Sequence, residues 1–248
     1  MNAIGQVSHH RSMTDPHTDL AANADAQLSI LEACRQLDPS PVVVYAGTRQ
    51  IYGRARELPV TESVAAHPVD INGVNKFAAE EYHRIFHEVY GLRTVRLRLT
   101  NTYGPRQSLQ AASQGVIPTF VRRALTGLPL QVFGTGAQRR DLTYVDDVVE
   151  AFLAVARTPA AYGGVFNLGS DRPATVYEIA QAIAAVADVP VERVPFPEEL
   201  KTIEIGDSWS SYDRLERATG WKPVIPLADG VARTLGFFRE HPAYWRNA

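Results

Sequence analysis

The chain has 248 residues, of which 45% are hydrophobic and 21% are charged, and its formal net charge is −2. This composition excludes a disordered chain, and the near balance of charges gives no electrostatic reason to bind nucleic acid or an anionic membrane. The only cysteine, Cys34, excludes an intrachain disulfide. No apolar run reaches the ~20 residues that a membrane-spanning helix requires. We therefore predict a cytoplasmic protein.

Helix and strand patterns alternate along the chain. The first element is an amphipathic helix over 18–37, which an uninterrupted apolar strand over 41–47 follows. A second helix is predicted over 75–90, where Gly91 would end it. The remaining elements are, in chain order, strand 94–99, helix 117–126, strand 130–133, helix 147–157, strand 164–168, helix 175–187 and helices near 211–219 and 227–240. This alternation predicts an α/β fold with a parallel sheet that is covered by helices.

Glycine and polar residues cluster in the loops that follow the predicted strands. Because ligands of such sheets bind beyond the carboxyl ends of the strands, these loops are the candidate site. The segments that carry the clusters are 46–53, 72–76, 98–106, 133–147 and 166–169.

In this order and spacing, the five segments closely resemble those of the extended short-chain dehydrogenase/reductases, specifically the NAD-dependent nucleotide-sugar epimerases and dehydratases. The resemblance covers nearly the whole chain. It implies a Rossmann-like parallel sheet with helices on both faces and a small C-terminal α/β substrate lobe. We expect residues 1–170 to form the Rossmann-like domain, with some substrate-lobe elements from about 110, and residues 171–248 to form mainly the substrate-binding lobe.

The resemblance also implies roles for individual residues. Thr48 would orient the sugar, and Lys76 would serve the catalytic step and hold the nicotinamide ribose of NAD. Asn101 and Arg140 would bind the diphosphate of a nucleotide sugar, and the adjacent Arg139 would share that task. The resemblance further implies a homodimer, in which family members commonly pair through helices that include the one bearing Lys76.

One departure from the family pattern lies at the start of the chain. Relatives open with a strand and a G-x-x-G-x-x-G turn that receives the dinucleotide pyrophosphate on backbone N–H groups. No such pattern occurs in these 248 residues. We expect the fold to be truncated at its N-terminus, either as a short protein that covers its sheet edge by dimerising or through a start site recorded too late. We also expect this chain alone not to retain NAD.

A second departure lies at the catalytic tyrosine of the family. The Y-x-x-x-K spacing here gives Asn72 and Lys76, and an amide does not accept a proton as a base. Asp70, His67 and Tyr103 are the candidate replacements. We therefore expect a nucleotide-sugar epimerase or dehydratase relative that is catalytically compromised. The alternatives are a non-redox pseudoenzyme or accessory nucleotide-sugar-binding protein, and a cofactor-free lyase or cyclase.

No metal site is predicted. His83 and His87 have the i, i+4 spacing of zinc ligands, but the intervening residues lack the glutamate of H-E-x-x-H and no third ligand is placed. We expect both histidines to be exposed to solvent.

Overall fold

The computed structural model describes residues 1–37, 39–109, 115–198 and 204–246. They form two compact units. The first comprises Met1–Thr100, Val148–Gly169 and Ser210–Lys222, and the second comprises Asn101–Asp147, Ser170–Trp209 and Pro223–Ala248. The domain division predicted near residue 170 stays a prediction.

The first unit is built on a three-stranded parallel sheet. Its strands are β1 (Val43–Thr48), β2 (Thr94–Leu99) and β7 (Val165–Asn167), in the order β1-β2-β7. The strands that the apolar runs predict are therefore present, and their pairing is parallel as expected. The helices of this unit are α1 (His9–Thr14), α2 (Pro16–Leu20), α3 (Ala26–Arg35), α4 (Ile71–Tyr90), most of α6 (Val145–Arg157) and α8 (Asp213–Thr219).

Helices cover both faces of this sheet. Successive side chains of a strand point to opposite faces, and Val43 packs in one cluster with Leu31 and Phe86, from α3 and α4. The next residue, Val44, packs in a different cluster with Phe152 and other residues of α6 and α8. A strand that is buried on both faces explains why residues 43–47 of β1 form an uninterrupted apolar run instead of an alternating pattern.

The N-terminal helices differ in two ways from the single helix predicted over 18–37. α1 was not predicted, and a π-helical segment, Ala21–Asp25, separates α2 from α3. α4 begins at Ile71, four residues before the predicted start, because the Asp70 carboxylate caps it by accepting the Gly73 N–H at 2.7 Å. The helix ends at Gly91, as predicted, in the left-handed conformation with φ +69°.

Among the residues that the structure describes, the second unit contains three pairs of short strands and three α-helices that lie wholly within it. The parallel pairs are β3 (Asn101–Tyr103) with β6 (Leu142–Tyr144), and β4 (Leu130–Phe133) with β9 (Val191–Val194). The antiparallel pair is β5 (Arg139–Arg140) with β8 (Ala174–Thr175). The helices α5 (Val116–Leu125), α7 (Val176–Ala187) and α9 (Leu227–Glu240) share one apolar core with these strands.

A buried polar network crosses the first unit. Arg98 of β2 donates to both carboxylate oxygens of Glu80 on α4, with Nε 3.0 Å from Oε2, and it also donates to the Tyr52 hydroxyl. Tyr52 in turn donates to Asn167 Oδ1 at 2.7 Å. Burial opposes the Arg98 charge, but the bonds and charge of Glu80 outweigh burial and raise the pKa of Arg98. The network ties α4, two strands and the segment after β1 to one another.

Candidate functional site

Thr48 ends β1 and opens a turn of 3₁₀ helix, Arg49–Tyr52. Its hydroxyl accepts the Gln50 N–H at 3.2 Å, so it caps this turn while its own proton stays available to a ligand. The first turn of α4 lies against the same segment, since an ideal Cβ on Gly73 would lie 3.4 Å from the Gln50 carbonyl oxygen. The fold therefore places the loop after β1 beside the start of the helix that carries Asn72 and Lys76.

Asn72 and Lys76 lie one turn apart on α4, on the same side of the helix. Both are nearly buried, with 2% and 7% of their surface exposed. The Asn72 side-chain amide donates to Asp19 Oδ2 at 3.0 Å and to the Gln6 carbonyl oxygen at 2.8 Å. The residue in the tyrosine position is thus held in place by a buried acid and a backbone carbonyl.

Asp19 is a residue that the sequence analysis missed. It is fully buried, and its carboxylate accepts side-chain amide bonds from Asn72, from Asn75 at 2.8 Å and from Gln6 at 3.0 Å. A buried carboxylate requires such donors, because it has lost its hydration. In sequence Asp19 is one acid within an amphipathic helix. No signal in the sequence around it marks it as a buried acid.

The buried environment of Lys76 alters its titration. Burial lowers its pKa to about 8, and the negative charge of Asp19 opposes this shift. Its Nζ lies 5.5 Å from the centre of the Tyr45 ring. An ideal Cβ on Gly5 would lie only 2.5 Å from that Nζ, so the backbone of the N-terminal segment approaches the ammonium closely. Lys76 therefore loses its proton more readily than a free lysine does.

The three residues considered as a replacement base are placed differently. Asp70 caps the start of α4 and pairs with His9. Burial opposes the negative charge of Asp70, but the hydrogen bonds from His9 and from the Gly73 N–H outweigh burial and lower its pKa. His67 is exposed. Tyr103 is in the second unit, where burial and nearby negative charges raise its pKa further from neutrality. Asp70 thus has a structural task, and Tyr103 is deprotonated less readily than a free tyrosine, so less of it is available as a base.

Asn101, Arg139 and Arg140 all lie in the second unit. Asn101 on β3 donates to the Asp141 carbonyl oxygen at 3.3 Å, across the pairing with β6. The Arg139 side chain is exposed. The Arg140 guanidinium is 15% exposed and donates from Nη2 to Glu204 Oε1 at 2.8 Å. Glu204 is a second residue that the sequence analysis missed.

The expectation that His83 is exposed is wrong. The residue is fully buried, its ring stacks on Tyr45 with the centroids 4.5 Å apart, and its Nδ1 lies 2.8 Å from the Ala79 carbonyl oxygen. Burial lowers its pKa to about 4. In the part of the chain that the structure describes, no group of three or more His, Cys, Asp or Glu side chains could hold a metal ion. None of the described helices is long and apolar enough to cross a membrane.

Comparisons with known proteins agree with this architecture. The chain is 32% identical over 235 residues to a UDP-glucose 4-epimerase of Mycolicibacterium smegmatis, covering 95% of this chain and 74% of that protein. It superposes on the structure of the Thermotoga maritima UDP-glucose 4-epimerase with UDP-glucose, with a TM-score of 0.86, 29% identity and coverage of 95% and 75%. For the Thermus thermophilus UDP-glucose 4-epimerase in complex with NAD, the TM-score is 0.82, the identity 30% and the coverage 96% and 76%.

These similarities confirm the Rossmann-like α/β fold and the resemblance inferred from the loop segments. The model of the NAD dependent epimerase/dehydratase family matches residues 1–169, which is more than half of the chain. The chain therefore belongs to the NAD-dependent epimerase/dehydratase family.

Proposed function

We propose that this protein binds a nucleotide sugar and that Asn72 leaves it without the proton transfer on which the redox step depends. The observation that carries the proposal is the position of the Asn72 amide, which donates to Asp19 and to the Gln6 carbonyl one helical turn from Lys76. Transient oxidation of a sugar hydroxyl requires a group that takes up the hydroxyl proton. An amide cannot do so, and this amide is already committed to two acceptors.

The proposal that the ligand is a nucleotide sugar is supported by polar residues of the second unit and by the names of similar proteins. Arg140 presents a planar guanidinium, which suits the oxygens of a diphosphate, and Asn101 offers an amide from β3 in the same unit. The names of the similar proteins specify UDP-glucose as a substrate class. A nucleoside diphosphate sugar is therefore the ligand we assign to Asn101, Arg140 and the adjacent Arg139, which all belong to the second unit.

The residues present do not by themselves fit NAD. Lys76 supplies a donor of the kind that holds the nicotinamide ribose, but the Gly5 backbone is packed close to its ammonium. The 248 residues contain no G-x-x-G-x-x-G turn to receive the pyrophosphate. We therefore propose no step through NAD for this chain and expect it to be purified without the dinucleotide.

Calorimetry with UDP-glucose tests the ligand assignment. We expect measurable binding by the wild-type chain and a loss of about 10- to 100-fold in affinity for Arg140→Met, since a hydrogen bond to a charged group contributes ~1.5–3 kcal/mol. Arg172→Met is the matched control, because Arg172 is an exposed arginine of the same unit, and its affinity should stay within about twofold of wild type. Failure of the wild-type chain to bind UDP-glucose, UDP-N-acetylglucosamine or dTDP-glucose would contradict the assignment.

An activity assay separates the compromised enzyme from an active one. Wild-type protein with added NAD and a nucleotide sugar should give neither the 4-epimer nor the 4-keto-6-deoxy product. Steady turnover by the wild-type chain would refute the role we give to Asn72. Turnover without NAD would instead support the cofactor-free lyase or cyclase alternative.

We also propose that the protein is a homodimer that pairs through α4. Val74, Ile85 and Val89 are exposed on one stripe of this helix, which is otherwise well packed on the sheet. Light scattering coupled to gel filtration should give the mass of a dimer for wild type and of a monomer for the double variant Ile85→Glu, Val89→Glu. The exposed Leu128→Glu variant of the second unit is the control and should stay dimeric. A wild-type monomer at micromolar concentration would dismiss the proposal.

A further inference from the structure

The guanidinium assigned to the ligand diphosphate already has an anion beside it. Arg140 Nη2 donates to Glu204 Oε1 at 2.8 Å, and Nη1 donates to two carbonyl oxygens, those of Arg139 and Gly206. Glu204 is half-buried, with 29% of its side chain exposed, and it is the only carboxylate that forms an ion pair with Arg140 among the described residues. The negative charge of Glu204 therefore offsets the positive charge of Arg140 at the guanidinium that we assign to a phosphate group.

The carboxylate is held in this position by a short segment, 204–208, which we call the strap. Glu204 Oε1 also accepts the Gly206 N–H at 2.9 Å, which closes a tight turn on itself. Gly206 has φ +73°, a conformation that glycine adopts without strain. The ion pair is thus built into the local backbone and does not depend on a freely rotating surface side chain.

The strap is itself fixed along β5. Arg139 N–H donates to Asp207 Oδ1 at 2.8 Å, and Ser208 N–H donates to the Arg139 carbonyl oxygen at 3.0 Å. Arg140 and Ser208 form a parallel bridge. Glu204 of the strap therefore faces the guanidinium of Arg140, and Asp207 faces the backbone of Arg139. These are the two arginines that we assign to the diphosphate.

We propose that Glu204 weakens ligand binding by competing with the phosphate groups of the nucleotide sugar for Arg140. The proposal rests on the function proposed above, in which Arg140 binds those phosphates. A phosphate oxygen that approaches Nη2 meets the Glu204 carboxylate at the same donor, and like charges at that separation repel. Binding then requires the strap to give up the Glu204–Arg140 contact, so this residue lowers the affinity for every ligand that is anionic at this point.

Calorimetric titration with UDP, which carries the diphosphate but no sugar, tests this competition. Glu204→Gln keeps the shape and the hydrogen-bond acceptor for Gly206 N–H but removes the charge, so we expect UDP to bind about 10-fold more tightly than to wild type. Asp171→Asn is the matched control, because it removes one negative charge from an exposed position of the same unit. Its affinity for UDP should remain within about twofold of wild type.

A double-variant cycle assigns the gain to Arg140. Glu204→Gln should bring no gain in an Arg140→Met background, whereas a general change in surface potential would bring the same gain in both backgrounds. Glu204→Ala is the second variant, and it should also bind UDP more tightly than wild type does. Circular dichroism on each variant verifies the fold.

The outcomes separate this inference from the function on which it rests. If UDP binds to wild type, is lost with Arg140→Met and is unchanged by Glu204→Gln, the competition is overturned and the ligand assignment stands. If neither wild type nor Glu204→Gln binds UDP, both are overturned. If Glu204→Gln gains affinity to the same extent with and without Arg140, Glu204 acts through the general field and the competition at Arg140 is overturned.

Discussion

Replacing Glu80 by leucine is expected to lower the free energy of unfolding by about 3–5 kcal/mol. The substitution leaves the Arg98 guanidinium buried without its carboxylate, and both side chains are almost inaccessible to solvent, with 8% and 2% exposed. The cost comes from the uncompensated charge and not from lost contact area, because leucine fills a similar volume. Arg98→Met should cost a comparable amount, since it leaves the Glu80 carboxylate buried without its cation.

Urea denaturation of the single and double variants measures this effect. We expect Glu80→Leu combined with Arg98→Met to be more stable than either single variant, because an apolar pair leaves no buried charge. Glu88→Leu is the control: Glu88 lies on the same helix and also pairs with an arginine, Arg84, but 54% of it is exposed, so its loss should cost less than ~1 kcal/mol. Equal effects of the two glutamate substitutions would show that burial does not govern the cost.

Replacing Lys76 by methionine is expected to stabilise the protein at pH 7 by roughly 3 kcal/mol. The pKa of this lysine is about 8 in the fold, against 10.5 for a free lysine, so its ammonium is less favourable in the folded state. Methionine has a similar length and no charge to bury. Such a gain would show that the buried charge of Lys76 lowers the stability of the fold, which is typical of residues that serve a functional site.

The sign of the pH dependence provides a sharper test. Well below pH 8 the lysine is protonated in both states, and its full cost is present. Between pH 8 and 10.5 the unfolded chain holds more protons than the folded one, so the stability of the wild type rises with pH and the advantage of Lys76→Met declines to zero. Lys222→Met, at an exposed position of the same unit, should show no such trend. An advantage that is absent at pH 7, or that grows above pH 8, would contradict the placement of Lys76.

The sequence predicts most of the elements of the fold because their signals are local. β1 is a run of apolar residues between breakers, and α4 ends where Gly91 supplies a left-handed residue. The error at the start of α4 has a local cause as well: Asn72 and Gly73 look like turn residues, and the cap that Asp70 provides outweighs their low helix propensity.

The missed residues depend on contacts between distant parts of the chain. Asp19 is 53 positions from Asn72 and 56 from Asn75, and nothing near it in sequence distinguishes it from an exposed acid. Glu204 is 64 positions from Arg140. The loop segments indicate which residues contact a ligand in relatives, but they cannot show that two of these residues are already engaged by carboxylates of the same chain.

The cap at the start of α4 also bears on how the protein ages chemically. Asn72 precedes Gly73, and an Asn-Gly pair in a flexible chain is prone to deamidation, in which the glycine nitrogen attacks the asparagine side chain. Here the Gly73 N–H is held by Asp70, and the Asn72 amide is held by Asp19 and the Gln6 carbonyl oxygen. Folding therefore shields the pair from succinimide formation. Conversion to aspartate would set a second carboxylate against Asp19, and the repulsion between the two would disturb the first turn of α4 beside Lys76.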